Sequence, residues 1–129
     1  MALTAASTEE LIHQIERGLP FDALDSLATA SGLSVPLIAS IIGIPPRTLA
    51  RRKAAARLAP DESERLLRVS TIFEKAVELF EGHVAPAVAW LTSKNAALGD
   101  QTPLTYSRTE LGARDLEDLI GRLEHGVFS

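Results

Sequence analysis

The chain has 129 residues, 46% of them apolar and 23% charged, which is ordinary globular usage and enough for one domain or two very small ones. It contains no cysteine, which excludes a disulfide framework and thiolate metal sites, and its three histidines, His13, His83 and His125, show no ligand spacing. The net charge of −4 conceals an asymmetry: Ser26 to Pro60 carries five bases and no acid, leaving −9 for the remainder.

No stretch approaches the roughly 20 apolar residues of a membrane span, and MALTAASTEE lacks the basic-then-apolar order of a signal peptide. The expectation is a cytoplasmic protein that does not engage a membrane. Aromatic content is 5%, so Leu, Ala and Ile carry the packing, which suits helices better than sheets. Thr8-Glu9-Glu10 opens a first helix with Leu11, Ile12 and Ile15 apolar, closing at Gly18 before Pro20. A second is predicted from about Pro20 to Ala30, with Phe21, Leu24, Leu27 and Ala28 inward and Gly32 as its stop.

Ser34 caps a third helix with Pro36 in its first turn and Leu37, Ile38, Ile41 and Ile42 on its apolar side. Gly43 ends it. Pro45-Pro46 starts a fourth, which runs to about Leu58 before Pro60. Pro60-Asp61-Glu62 begins a long helix to Glu81, its acids placed where the dipole favours them, with Leu66, Val69, Ile72, Phe73, Ala76, Val77 and Phe80 at helical spacing. A shorter helix over Pro86–Lys94 and a turn-rich connector, NAALGDQTPL, precede a last helix from about Thr109 to His125, with Leu111, Leu116, Leu119, Ile120 and Leu123 apolar. No strand is predicted.

The layout from Ser34 to Pro60 is that of a helix-turn-helix, with Ile38, Ile41 and Leu49 joining the pair and the N-terminal end of the second helix free to enter a major groove. Arg47 and Thr48 then stand at base edges or the nearest phosphates. Arg51 and Arg52 follow one turn on, and Lys53 and Arg57 suit flanking phosphates. A solvated basic face on an ordinary bundle is the bland alternative. The glycine turn, the double proline and the acid-free stretch favour DNA.

The second half shows no nucleotide loop and no Ser/His/Asp constellation, and Asp115, Glu117 and Asp118 read as a solvated helix face, so no catalytic residue is assigned and no cofactor or metal is expected. Gly112 and Gly121 each cost a helix interior about 1 kcal/mol relative to alanine, which either a close helix contact or plain tolerance explains. His125 reads as a helix-end cation. Val127 and Phe128 either fold back after the helix-ending Gly126 or are held out for a pocket on a partner.

WLTSKNAALGDQTPL followed by TELGARDLEDLIGRLEHGVFS resembles the C-terminal domain of the Xre/MbcA/ParS antitoxins. The shared pattern falls on Asn95, Ala97-Leu98-Gly99, Thr102-Pro103-Leu104, Thr109, Gly112-Ala113, Leu119, Arg122, Leu123, Glu124, Gly126 and Val127, and the preceding Xre-like helix-turn-helix extends the resemblance to about residues 20 to 129. Asp100 stands where the family usually has a second glycine, and Thr105-Tyr106-Ser107 replaces a leucine-rich continuation.

The resemblance implies an all-α protein. An N-terminal helix-turn-helix bundle (residues 1–60) would be joined by the long helix to a small C-terminal toxin-binding and self-association region (61–129). It also implies a type II toxin–antitoxin pair, with a NAD-consuming RES-domain toxin as partner, its active site obstructed by the C-terminal region, and operator DNA bound at the shared promoter. The antitoxin itself is then not an enzyme. Val127 and Phe128 would supply apolar burial in the toxin, with Gly126 in the same toxin-binding segment; beyond what the family establishes, Arg122, Glu124, His125 and the Ser129 carboxylate are expected to fix its orientation or mimic an acidic part of the substrate. A stand-alone helix-turn-helix regulator without a toxin is the alternative, and its tail would pack on its own core. In either case a homodimer is expected, with its seam on the Leu66–Phe80 face or on the last helix.

Overall fold

The computed structural model describes residues 7–126, and these form eight α-helices with no β-strand among them. They are α1 (Thr8–Arg17), α2 (Asp22–Ser31), α3 (Val35–Ile41), α4 (Pro46–Ala55), α5 (Pro60–Leu79), α6 (Val84–Leu91), α7 (Pro103–Tyr106) and α8 (Glu110–Glu124), with a 3₁₀ turn at Ala96–Leu98. The chain divides into two compact units, Met1–Leu67 and Arg68–Ser129, so the division falls inside α5.

In the first unit α2 packs on α3, and α3 on α4. Its buried apolar residues are Leu19, Phe21, Leu24, Leu27, Ile38, Ala39, Ile41, Ile42, Ile44, Leu58 and Leu66. Ser7 caps α1 by accepting from the Glu10 amide, and Ser34 caps α3 by accepting from Leu37, each satisfying a donor that the helix itself cannot. Two boundaries differ from expectation. Pro20 lies before α2 because Leu19–Phe21 pairs antiparallel with Ala56–Leu58: the Leu58 amide donates to Leu19 O (2.9 Å) and the Phe21 amide to Ala56 O (3.1 Å). The same pairing ends α4 at Ala55, three residues short of Leu58, with Ala56 turned into the left-handed region (φ 60°) to redirect the chain. Glycine at position 18 is required by this clasp, since a Cβ there would lie 2.1 Å from Leu58 O. Ile12 and Leu37 were expected inward and are exposed, at 51% and 41%.

In the second unit α6 packs on α7, and α7 on α8. Val69, Ile72, Phe73, Ala76, Ala87, Leu91, Leu98, Pro103, Leu104, Ala113, Leu116 and Ile120 are buried. The sixth helix begins at Val84 and stops at Leu91 rather than running over Pro86–Lys94, which places Pro86 in the first turn where its missing N–H costs nothing. The connector holds more structure than expected. Asn95 accepts from the Ala97 amide at the 3₁₀ turn, and Thr102 accepts from the Thr105 amide at the start of α7. Asp100 adopts φ 64°, a left-handed conformation that glycine takes without strain. Leu111, read as apolar-inward, is 71% exposed.

The two glycines of α8 separate cleanly. A Cβ on Gly112 would sit 2.0 Å from Tyr106 O, so α7 and α8 approach through that position, whereas Gly121 has nothing within 4 Å. Gly112→Ala is therefore expected to destabilise by about 1–3 kcal/mol. Gly121→Ala should stabilise by up to about 1 kcal/mol. Urea unfolding of both variants checks the pair, and equal effects would contradict the contact at Gly112.

Candidate functional site

The cationic residues cluster on and just beyond α4, which has no fully buried side chain. Leu49 and Arg52 are its half-buried points of attachment, and Arg47, Arg51 and Lys53 are exposed. Thr48 is half-buried, and its hydroxyl accepts from the Arg51 guanidinium at 3.4 Å.

The six residues expected to meet DNA fall into two groups. Arg52 Nε and Nη2 donate to Glu62 Oε1 and Oε2 at 2.8 and 3.2 Å, a bidentate pair that turns this edge of the guanidinium toward the protein. Arg57 Nη1 donates to Gly18 O at 2.7 Å and, more weakly, to Arg17 O at 3.4 Å. These two bases hold the first unit together. Arg47, Thr48, Arg51 and Lys53 remain on the outward side of α4.

Sequence reasoning missed Glu62 and Ser63. Glu62 was read as a first-turn acid complementing the helix dipole. Its Oε1 also accepts from the Ala59 amide at 2.8 Å, the return half of a capping box, and because Ala59 has no side-chain oxygen the motif is not marked in the sequence. Ser63, fully buried, accepts from the Leu19 amide and donates to Ala59 O, both at 2.8 Å. Arg65 Nε donates to Ile42 O at 2.6 Å, tying α5 to the end of α3.

Burial alone would raise the Glu62 carboxyl. The Arg52 hydrogen bonds, the Ala59 amide and the Arg52 charge outweigh it and hold the group below its ordinary value of 4.5. Asp61 is likewise lowered: desolvation opposes the shift, and Arg65 with local amides overcomes it.

In the second unit Arg122, Glu124, His125 and Gly126 are exposed at the end of α8, with Gly126 at φ 67°. Val127, Phe128 and Ser129 lie outside the described residues. Glu117, Asp118, Gly121, Arg122 and His125 line a shallow depression of about 380 Å³. Two of the three acids read as a free face have partners: Lys75 Nζ donates to Glu117 at 2.8 Å, and Tyr106 donates to Asp115 at 3.1 Å. Among the described residues no group of three or more His, Asp or Glu is placed to hold a metal ion, and no single helix is long and apolar enough to cross a membrane.

These features define a helix-turn-helix protein with a second, all-helical unit. Residues 10–70 match the antitoxin Xre-like helix-turn-helix domain, and residues 75–126 match the antitoxin Xre/MbcA/ParS C-terminal toxin-binding domain. An antitoxin Xre of Yersinia enterocolitica is 38% identical over all of this chain and 88% of its own length. One from Photorhabdus laumondii is 35% identical over 89% of this chain and 78% of its own. The chain belongs to the Xre antitoxin family: it is an antitoxin with a helix-turn-helix and a C-terminal toxin-binding domain.

Because the Glu62 pKa is lowered on folding, its stabilisation is complete above the unfolded carboxyl value and is lost as pH falls through the folded one. The urea midpoint should therefore decline below about pH 4.5. Glu62→Gln should start lower at pH 7 and decline less steeply, with Asp61 supplying the residual slope. Parallel curves for the two proteins would show that Glu62 carries no such linkage.

Proposed function

We propose that the first unit binds operator DNA with the N-terminal half of α4 and represses the operon encoding the antitoxin and its toxin. The observation that carries this reading is the sorting of the bases: Arg52 is half-buried against Glu62 and the exposed Arg57 is tied to Gly18 O, while Arg47, Arg51 and Lys53 are exposed together on a helix that Pro45 and Pro46 start. Arginine can bridge guanine, lysine adds charge toward phosphates, and Thr48 restrains Arg51. A homodimer would present two such helices to paired half-sites.

The second unit, in this reading, binds a RES-domain toxin that consumes NAD and blocks its active site. The chain acts in the cytoplasm by binding alone, and any catalysis in the complex belongs to the toxin. The matched toxin-binding domain and the exposed end of α8 support the placement of the contact at Arg122, Glu124, His125 and Gly126, continuing into Val127, Phe128 and Ser129.

Two measurements test these assignments. Arg47→Ala and Arg51→Ala should each weaken binding to a duplex from the promoter region by about tenfold or more while the helical circular dichroism persists. Unchanged affinity would remove the DNA assignment. Separately, the product of the neighbouring reading frame is expressed alone, with the full chain, and with a Val127→Asp, Phe128→Asp variant, and cellular NAD is followed. The full chain should preserve NAD and the variant should not. Equal protection would place neutralisation elsewhere on the second unit, and constant NAD in every culture would remove the RES assignment.

A further inference from the structure

Beside the exposed arginines of α4 lies a surface that charge does not explain. A hollow of about 440 Å³ opens between α3 and the start of α4. Its floor is Ala39 and Ile44, which are 1% and 3% exposed, and Pro36, Pro45 and Pro46 stand on its exposed rim. Ser40 supplies the one side-chain hydroxyl of its lining. Arg47 follows Pro46 directly, so the hollow is continuous with the surface proposed to meet DNA.

The start of a helix ordinarily offers backbone N–H groups to a phosphate. Here the capping position and the first helical position are both proline, so neither carries an N–H. Pro36 removes another from the facing rim. A phosphate placed in this hollow would meet apolar carbon and a single hydroxyl. What suits such a surface within a major groove is the one apolar group that base pairs display there, the 5-methyl of thymine.

We propose that this hollow is a thymine-reading subsite. As α4 enters the major groove, the Pro45–Pro46 edge and the Ala39–Ile44 floor receive the 5-methyl edge of one or two thymines, and Arg47 and Arg51 take polar edges beside them. The inference rests on the operator-binding reading and adds the base chemistry at one position. It also gives the double proline a role beyond starting the helix: two positions without an N–H form a methyl-accepting wall.

The test selects bound duplexes from a random library with the full-length chain. Each thymine of the selected half-site is then replaced by deoxyuridine, which removes only the methyl. One position, adjacent to that affected by Arg47→Ala, should lose about fourfold in affinity per methyl. Ser40→Leu, an exposed substitution that fills the hollow, should weaken the thymine duplex and abolish its advantage over the deoxyuridine duplex. Tight, sequence-selective binding that is indifferent to deoxyuridine at every position overturns the subsite and leaves DNA binding intact. If Ser40→Leu instead changes the oligomeric state while deoxyuridine is neutral, the hollow is a contact between copies and the subsite is likewise overturned. Absence of any enriched duplex removes the operator reading and the subsite together.

Discussion

The first unit depends on the carboxylate of Glu62. It accepts both arms of the Arg52 fork and the Ala59 amide, so a single side chain joins the middle of α4, the turn after it and the first turn of α5. The next residue, Ser63, extends the link to Leu19 at the other side of the unit. The arrangement matters because α4 has no fully buried side chain. Apolar burial is non-directional and would leave such a helix free to roll about Leu49, whereas a bidentate arginine–carboxylate pair fixes its rotation. A desolvated ion pair is weak evidence for stability in itself, and its clearest use here is orientation. The rotation of α4 decides which arginines point outward.

That division of labour gives the cationic stretch its meaning. Five bases in an acid-free run would, if all were free, make a diffuse positive surface. The internal acceptors Glu62 and Gly18 O withdraw Arg52 and Arg57 from it. Arg47 and Arg51 stand one turn apart at the leading end, with the restraint of Thr48 on Arg51. In the proposed reading, charge would steer this surface toward a polyanion over distances comparable to the Debye length, while the geometry at the tip is what base edges would sense.

The second unit uses a different device. Here two helices meet backbone against backbone, with Gly112 of α8 against Tyr106 O of α7. Lys75 from α5 then pairs with Glu117, and Tyr106 donates to Asp115, so α8 is anchored through its first two-thirds. Its last turn is left outward, with Arg122 and His125 exposed beside the open Gly121.

Much of this was readable from residues in order. Helix starts and stops are local events, set by capping hydroxyls at Ser34 and Thr109, by prolines at 36, 46 and 60, and by glycines at 18, 32 and 43, so the all-helical class and the helix-turn-helix followed directly. The basic run and the resemblance of the last third to a toxin-binding domain were likewise visible in one dimension. What the tertiary structure alone decided are choices that depend on partners distant in sequence. The clasp of Leu19–Phe21 on Ala56–Leu58 shortened α4 and delayed α2. Arg52 and Arg57 are tied into the unit because Glu62 and Gly18 O lie within reach, and nothing in their own sequence distinguishes them from Arg47 and Arg51. Gly112 and Gly121 look alike in the chain, yet only the first has a backbone oxygen against it. Sequence determines where a helix can exist, because propensity and capping act within a few residues. Which of its faces is spent on the fold is settled only by what packs against it.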